Sequence, residues 1–427
     1  MKKTLGILGV IALLLAAAAA MVSWLNLRDE VNVDAPVAAI VASDSLLARG
    51  AYLARAGNCA TCHTARGGPA YAGGRGMATP FGTVFTSNLT PDNKTGIGSW
   101  TPAHFWRAMH NGRSKDGRLL YPAFPYPNYT HVTREDSDAL FVYLRSQPAV
   151  ERAATPHALR FPYDSQAALA VWRALYFKPG VYQPDMQRSA EWNRGAYLVR
   201  GLGHCAACHT ARNALGASSE ALDLAGGLIP MQNWYAPSLT SPDEAGVGDW
   251  DRQHIVDLLK TGISPRASAT GPMAEVVLRS TQYLSDADLG AMAQFLKELA
   301  PPVVMAVPAA PAAPAAVLSQ GAKLYDQHCA QCHGDQGRGV PKAYPALAGN
   351  RAVTMPQTAN LVQIVLNGGY APATEGNPRP FGMPPFVLEL GDADIAAVLT
   401  HIRQSWGNQA GVVTPLEVNR MRAASTR

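Results

Sequence analysis

The sequence predicts an all-α, loop-rich chain organised as three tandem units, and three observations carry that expectation. A helix-like segment followed by a Cys-x-x-Cys-His pentapeptide recurs three times along the 427 residues. Glycine (38) and proline (32) are abundant, so loops should take a large share. Helical spacing and N-cap signals bracket each repeat, whereas strand signals are weak everywhere.

The N-terminal element comes first. Lys2 and Lys3 precede an uncharged stretch over 4–27, and the next charges are Arg28, Asp29 and Glu30. More than 20 uncharged residues can span a hydrocarbon core of about 30 Å. Lysines at its start place that end in the cytoplasm and the rest outside. Residues 1–30 are therefore expected to be a membrane anchor, or a signal segment if the alanine run at 16–20 is cleaved. Residues 31–44 form a spacer.

The first unit is expected over 45–150. Asp44–Ala56 has helical spacing, with Leu46, Leu47, Tyr52 and Leu53 on one side and Gly57 after it. Thr133-Arg-Glu-Asp136 reads as a capping box with Asp in place of Glu, opening a helix over 139–144. Residues 151–190 connect to the second unit, 191–300, where Ser285-Asp-Ala-Asp288 opens a matching helix over 289–299. Residues 301–317 are a Pro/Ala tract, expected as extended polyproline-like chain. At roughly 3.1 Å per residue it could reach about 50 Å, leaving the third unit, 318–408, free to move. That unit should end in a helix over 392–406, followed by a disordered tail, 409–427.

The repeats are explicit. Arg49-Gly-Ala-Tyr-Leu and Arg194-Gly-Ala-Tyr-Leu precede the first two pentapeptides, and Gln320-Gly-Ala-Lys-Leu precedes the third. Asn88-Leu-Thr-Pro-Asp through Gly96-Ile-Gly-Ser-Trp100 is echoed by Ser238-Leu-Thr-Ser-Pro-Asp through Gly246-Val-Gly-Asp-Trp250. Each echo leads into a helix-like run ending at Gly112 or Gly262. Trp100 and Trp250 are expected to line the crevice of their units.

Composition narrows the chemistry. With 48% hydrophobic and 16% charged residues the chain is globular, and a net charge of +5 is mild. No Lys/Arg stripe suggests phosphate binding, so nucleic acid is not an expected partner. Nothing resembles a nucleotide loop, a molybdopterin or quinoprotein domain, or a hydrolytic triad, so no catalytic residues are assigned.

All six cysteines lie in the pentapeptides: Cys59-Ala-Thr-Cys62-His63, Cys205-Ala-Ala-Cys208-His209 and Cys329-Ala-Gln-Cys332-His333. Two cysteines three apart can each form a thioether to a haem vinyl group, and the adjacent histidine then lies beneath the iron. A zinc site would use two pairs and strand the third, and would leave the three histidines unexplained. A thioredoxin-like pair would occur once, in a βαβ setting. The expected cofactors are three haems c, held by Cys59, Cys62, Cys205, Cys208, Cys329 and Cys332, with His63, His209 and His333 as proximal ligands.

A six-coordinate carrier needs a distal ligand, and methionine raises its potential. Gly382-Met383-Pro384-Pro385 in the third unit and Gly271-Pro272-Met273 in the second occupy matching Gly/Pro loops before the last helix, which selects Met383 and Met273. The corresponding first loop carries Phe124 instead. Met109 is the preferred candidate there, with His110, Met77 and His131 as alternatives. If none binds, the first iron is open to small molecules. His104, His157, His204, His254, His328 and His401 lack partners at metal-ligand spacing and are expected to be structural.

The pentapeptides, the Asn88–Trp100 run, Leu119-Leu-Tyr-Pro-Ala-Phe-Pro-Tyr, Ser189-Ala-Glu-Trp-Asn-Arg-Gly-Ala-Tyr-Leu-Val and Gly271-Pro-Met-Ala-Glu-Val-Val resemble the triple-haem cytochrome c subunits of periplasmic membrane-bound dehydrogenases. These serve quinoprotein alcohol dehydrogenases, flavin-dependent gluconate or sorbitol dehydrogenases, and molybdenum hydroxylases acting on aldehydes or nicotinate. The resemblance implies three class I cytochrome c-like domains, Met273 and Met383 as axial ligands, and a catalytic dehydrogenase subunit as electron donor. It implies ubiquinone or a terminal oxidase as acceptor, on the periplasmic side of the bacterial inner membrane. Phe124 and the N-terminal segment look more like the cytochromes of molybdenum hydroxylases such as nicotinate dehydrogenase. Rival expectations are a cytochrome subunit of a terminal oxidase and a haem peroxidase using an open first iron.

Overall fold

The computed structural model describes residues 2–30, 32, 33, 40–299 and 311–425. The uncharged N-terminal run forms one helix, α1 (Lys2–Leu27), long and apolar enough to cross a membrane. Leu5 through Leu15 and Trp24 stand exposed along it. Its C-terminal end meets the rest of the chain: Asn26 is buried and donates to the Ala170 carbonyl.

The first unit begins with α2 (Asp44–Ala56), where the Ser43 hydroxyl caps the Leu46 N–H. A one-turn helix, α3 (Cys59–His63), carries the first pentapeptide. The strands β1 (Gly76–Thr79) and β2 (Gly82–Phe85) form an antiparallel ribbon with Gly76 opposite Phe85. Helix α4 (Pro102–Asn111) starts at the Thr101 cap and stops at Gly112, whose φ of 56° lies in the left-handed region. A short turn, α5 (Tyr126–Tyr129), precedes α6 (Arg134–Arg145), capped as expected by Thr133 on the Asp136 N–H. The connecting segment holds a short strand, β3 (Ala158–Leu159), added to β2, and an amphipathic helix, α7 (Gln166–Tyr176), packed on α1.

The second unit repeats the plan. It comprises α8 (Ala190–Arg200), the pentapeptide turn α9 (Ala206–His209), the ribbon β4 (Gly227–Ile229) with β5 (Trp234–Ala236), α10 (Arg252–Thr261), α11 (Gly271–Arg279) and α12 (Asp286–Lys297). The Pro/Ala linker lies outside the described residues up to residue 310. The third unit runs through α13 (Ala315–His328), α14 (Ala330–His333), α15 (Arg351–Thr354), α16 (Ala359–Asn367), the pair β6 (Gly369–Tyr370) and β7 (Gly382–Met383), and α17 (Asp392–Arg403).

One crossing organises every unit. The first helix of each lies against the last, α2 on α6, α8 on α12 and α13 on α17. The glycine of each Gly-Ala repeat sits at the crossing. A Cβ on Gly50, Gly195 or Gly321 would lie 2.1, 2.0 or 2.2 Å from the carbonyl oxygen of Ala139, Ala291 or Ala397 respectively. Only glycine lets the two backbones approach this closely.

The first two units share one apolar core, in which Leu53, Leu140 and Leu144 meet Leu198, Leu202, Leu289 and Phe295. Their joint is reciprocal. Arg49 pairs with Asp136 inside the first unit, and Tyr197 of the second donates to the same carboxylate at 2.6 Å. Arg194 pairs with Asp288 inside the second unit, and Tyr52 of the first donates to it at 2.6 Å. The same patch thus serves both sides, as in an isologous dimer, with the two units on one chain.

The expectation of a disordered tail is corrected, and the third unit is seated on the second. Arg351 pairs with Asp249 at 2.7 Å, and the Asn360 amide both accepts from the Tyr235 N–H and donates to its carbonyl, completing the edge of β5. The tail after Asn408 is ordered as α18 (Pro415–Ser425). Thr414 and Glu417 form a capping box before it, Val418 is fully buried, and Arg422 pairs with Asp392. Polar composition hid that cap.

Candidate functional site

The three pentapeptides adopt one geometry. Each forms a single helical turn, so cysteines three apart lie on the same side with the histidine at its end. The histidine Nδ1–H donates to a backbone carbonyl: His63 to Ser87 at 2.8 Å, His209 to Pro237 at 2.7 Å, His333 to Pro345 at 2.9 Å. With Nδ1 occupied, Nε2 keeps its lone pair for a metal, the arrangement that orients and strengthens imidazole ligands. Burial holds all three imidazoles below the ordinary histidine range, in their neutral, ligating form.

A glycine N–H holds each histidine's own main-chain carbonyl. The main-chain carbonyl of His63, His209 and His333 accepts from the N–H of Gly73, Gly226 and Gly339, at 2.7, 2.7 and 2.8 Å. These glycines have φ of 70°, 85° and 62°. A Cβ on Gly73 would meet the Ser87 carbonyl at 2.5 Å, and one on Gly339 the Pro345 carbonyl carbon at 2.7 Å. The segment bearing the acceptor is therefore drawn against the histidine because no side chain intervenes.

The cysteines are unpaired. Burial pushes Cys59 and Cys205 up to about 12 and Cys329 to about 11, so they stand as neutral thiols rather than thiolates. Among the described residues no His/Cys/Asp/Glu group gathers to hold a metal ion by itself. Two neutral thiols and one bare imidazole nitrogen on a single turn suit covalent haem and do not close a zinc tetrahedron.

The methionines fall as follows. Met273 sits in the first turn of α11, partly buried against the shared core, so the expected loop is there a helix start. Met383 lies on β7, opposite Gly369, and packs on the core of the third unit. Phe124 packs on the shared core beside Tyr129, ring centroids 5.3 Å apart. Tyr129 is buried, and its hydroxyl donates to the Gly57 carbonyl at 3.1 Å next to the first pentapeptide. On α4 the two neighbouring candidates face apart. Phe105 and Met109 enter the core, whereas His110 stacks on Trp106 at 4.6 Å with its Nδ1 on the Thr130 carbonyl at 2.9 Å. His131 is tied to the Gly180 carbonyl, and Met77 lies on β1.

Sequence reasoning missed the three acceptor carbonyls and the Tyr–Asp joint. Tyr129, bonded to Gly57 beside the first pentapeptide, also packs its ring on His204 beside the second, with centroids 5.6 Å apart, and Arg75 bridges to Glu275 at 3.7 Å, so the first two pentapeptides lie at the joint. Trp250 is buried in the shared core, and Trp100 packs partly buried against that core.

Comparison with known proteins agrees with this geometry. The cytochrome c family model matches residues 47–148 and 318–406. The cytochrome c subunit of the quinone alcohol dehydrogenase of Gluconacetobacter polyoxogenes is 38% identical over 399 residues, covering 89% of this chain and 85% of that protein. The gluconate 2-dehydrogenase cytochrome c subunit of Pantoea cypripedii is 38% identical over 404 residues, 90% and 91% of the two chains. A nicotinate dehydrogenase subunit of Pseudomonas putida is 43% identical over 370 residues, but this chain spans only 30% of it. Likeness of this extent to whole subunits, together with pentapeptides built for covalent haem c, shows that the chain belongs to the cytochrome c subunits of the alcohol and gluconate dehydrogenase family.

Proposed function

We propose that this chain conducts electrons through three covalently bound haems c from a catalytic dehydrogenase subunit to ubiquinone or a terminal oxidase, on the periplasmic face of the membrane in which α1 is anchored. The observation that carries the reading is the threefold repetition of one ligand geometry: paired thiols, a histidine with Nδ1 committed to a carbonyl, and a glycine N–H bound to the histidine's own main-chain carbonyl. When bound, haem iron supplies reversible one-electron exchange. The chain's own residues do the rest. The six cysteines would tether the haems, His63, His209 and His333 would ligate the irons, and Met273 and Met383 would be further ligands of the second and third. Met109, on the core-facing side of α4, is assigned to the first.

The seating of the units supports a continuous relay. The first two pentapeptides adjoin across the reciprocal joint, and the third unit rests its 370–373 segment near α11, which bears Met273. The relatives' names support a dehydrogenase as donor. The test is genetic and biochemical. Membranes lacking this chain should retain dehydrogenase activity with an artificial dye but lose substrate-dependent ubiquinone reduction and oxygen uptake. Unchanged respiration on the dehydrogenase's substrate would overturn the proposal.

A further inference from the structure

Helix α7 has two faces of opposite character. Leu169, Arg173 and Phe177 are buried, at 5%, 3% and 7% exposure. Arg173 reaches the Asn26 side chain at 2.9 Å and the Asn111 carbonyl at 2.7 Å, which locks α7 against the ends of α1 and α4. The opposite face carries Ala167, Val171 and Leu175 at i, i+4, i+8, exposed and without a charge among them. A water-facing helix surface normally carries charged or polar side chains, so this face is matched to something apolar.

Its position says what. The uncharged stretch over 4–27 is 24 residues, roughly 36 Å of helix at about 1.5 Å per residue, against a hydrocarbon core of about 30 Å. The last turn of α1 therefore emerges at the outer boundary, and that turn, through Asn26, is where α7 packs. Trp24 and Leu27 on α1 and Val171 and Leu175 on α7 are all exposed apolar side chains. The structure also fixes the angle of exit. Glu30 receives ion pairs from Arg107 at 3.2 Å and Arg113 at 3.3 Å, so the chain leaving α1 is bolted to the first unit within three residues.

We infer that α7 is an in-plane membrane helix, its Ala167–Val171–Leu175 face lying in the outer boundary of the lipid bilayer that α1 spans, so that the first haem unit rests on the membrane at a fixed orientation. This rests on the anchor proposed above for α1. Trp24, near the outer end of α1, stands where interfacial rings are favoured, and an uncharged outward face beside a span is the pattern of an interfacial helix.

The test uses the full-length holoprotein in phosphatidylglycerol/phosphatidylcholine nanodiscs. Spin labels are attached through a non-cysteine unnatural amino acid, one at a time, at positions 14, 171, 175 and 186. Relaxation by oxygen, which concentrates in lipid, is compared with relaxation by a water-soluble nickel chelate. Labels at 171 and 175 should be severalfold more sensitive to oxygen, like the label at 14, whereas 186, on an exposed loop, should favour the nickel reagent. Nickel sensitivity at 171 and 175 with oxygen sensitivity at 14 would overturn the inference and leave the anchor standing. Nickel sensitivity at 14 would remove the anchor and the inference together. Protection of 171 and 175 from both reagents would mean that protein covers the face, and would also overturn it.

Discussion

The crossing of α13 and α17 is set by one missing side chain, and Gly321→Ala tests it. The added Cβ would stand 2.2 Å from the Ala397 carbonyl oxygen, 2.8 Å from its carbon and 2.7 Å from the His401 Cβ. Two of those atoms are backbone, so no rotamer relieves the clash and the helices must part by roughly 1 Å. Overpacking of this kind costs about 2–3 kcal/mol, which is roughly a 30- to 150-fold change in an opening equilibrium. The third unit has its own core, built on Tyr325, Val362, Leu366, Ile395 and Leu399, so the effect should stay local. Hydrogen exchange of the full holoprotein reads it directly: amides of α13 and α17 should exchange faster by that factor, with α2, α6, α8 and α12 unchanged. Exchange of α17 within twofold of the parent would refute the argument, because the helices would then not be in backbone contact.

Other consequences follow from the same geometry. Gly339→Ala should push the Pro345 carbonyl off His333; loss of that bond weakens the imidazole as a donor, so the third haem's midpoint potential should rise, and an unchanged redox titration would contradict the role of this glycine. Tyr197→Phe removes a hydrogen bond to Asp136, whose side chain is 2% exposed, and should cost about 1.5–3 kcal/mol in denaturant unfolding. Tyr52→Phe at the more open Asp288 should cost less. Burial works against the Asp288 carboxylate, but hydrogen bonds from Arg194 and Tyr52 outweigh it and hold the group below its ordinary range. A depressed folded-state value means stability present above the unfolded value of about 3.9 and lost as pH falls through the folded one. Thermal midpoints should therefore drop below about pH 4 more steeply in the parent than in Asp288→Asn, and parallel curves would exclude this contribution.

Legibility divided along physical lines. Local signals read correctly where a single turn decides them: α2 spans Asp44–Ala56 as its apolar spacing indicated, and the Thr133 and Ser285 caps stand at the helix starts. The pentapeptides were legible because covalent chemistry dictates their spacing. Long-range pairing was not. Arg-Gly-Ala-Tyr and the capping aspartates Asp136 and Asp288 were each visible, yet their exchange between units depends on how two units dock, which no local pattern encodes. The acceptor carbonyls Ser87, Pro237 and Pro345 lie 24, 28 and 12 residues from their histidines, and a carbonyl leaves no mark in sequence. The order of 415–425 was obscured because that helix depends on one buried valine and a cap rather than on an apolar stripe.

Electron conduction as proposed requires three haems bound covalently, one at each pentapeptide, on a chain that keeps its anchor. The intact mass of the denatured full-length protein, matured with a cytochrome c assembly system, tests this at once, since thioether-linked haem survives unfolding. The expected mass is that of the complete chain plus three haems. A mass with two or fewer would contradict the threefold site, and three haems on a chain shortened near residues 20–30 would contradict the anchor.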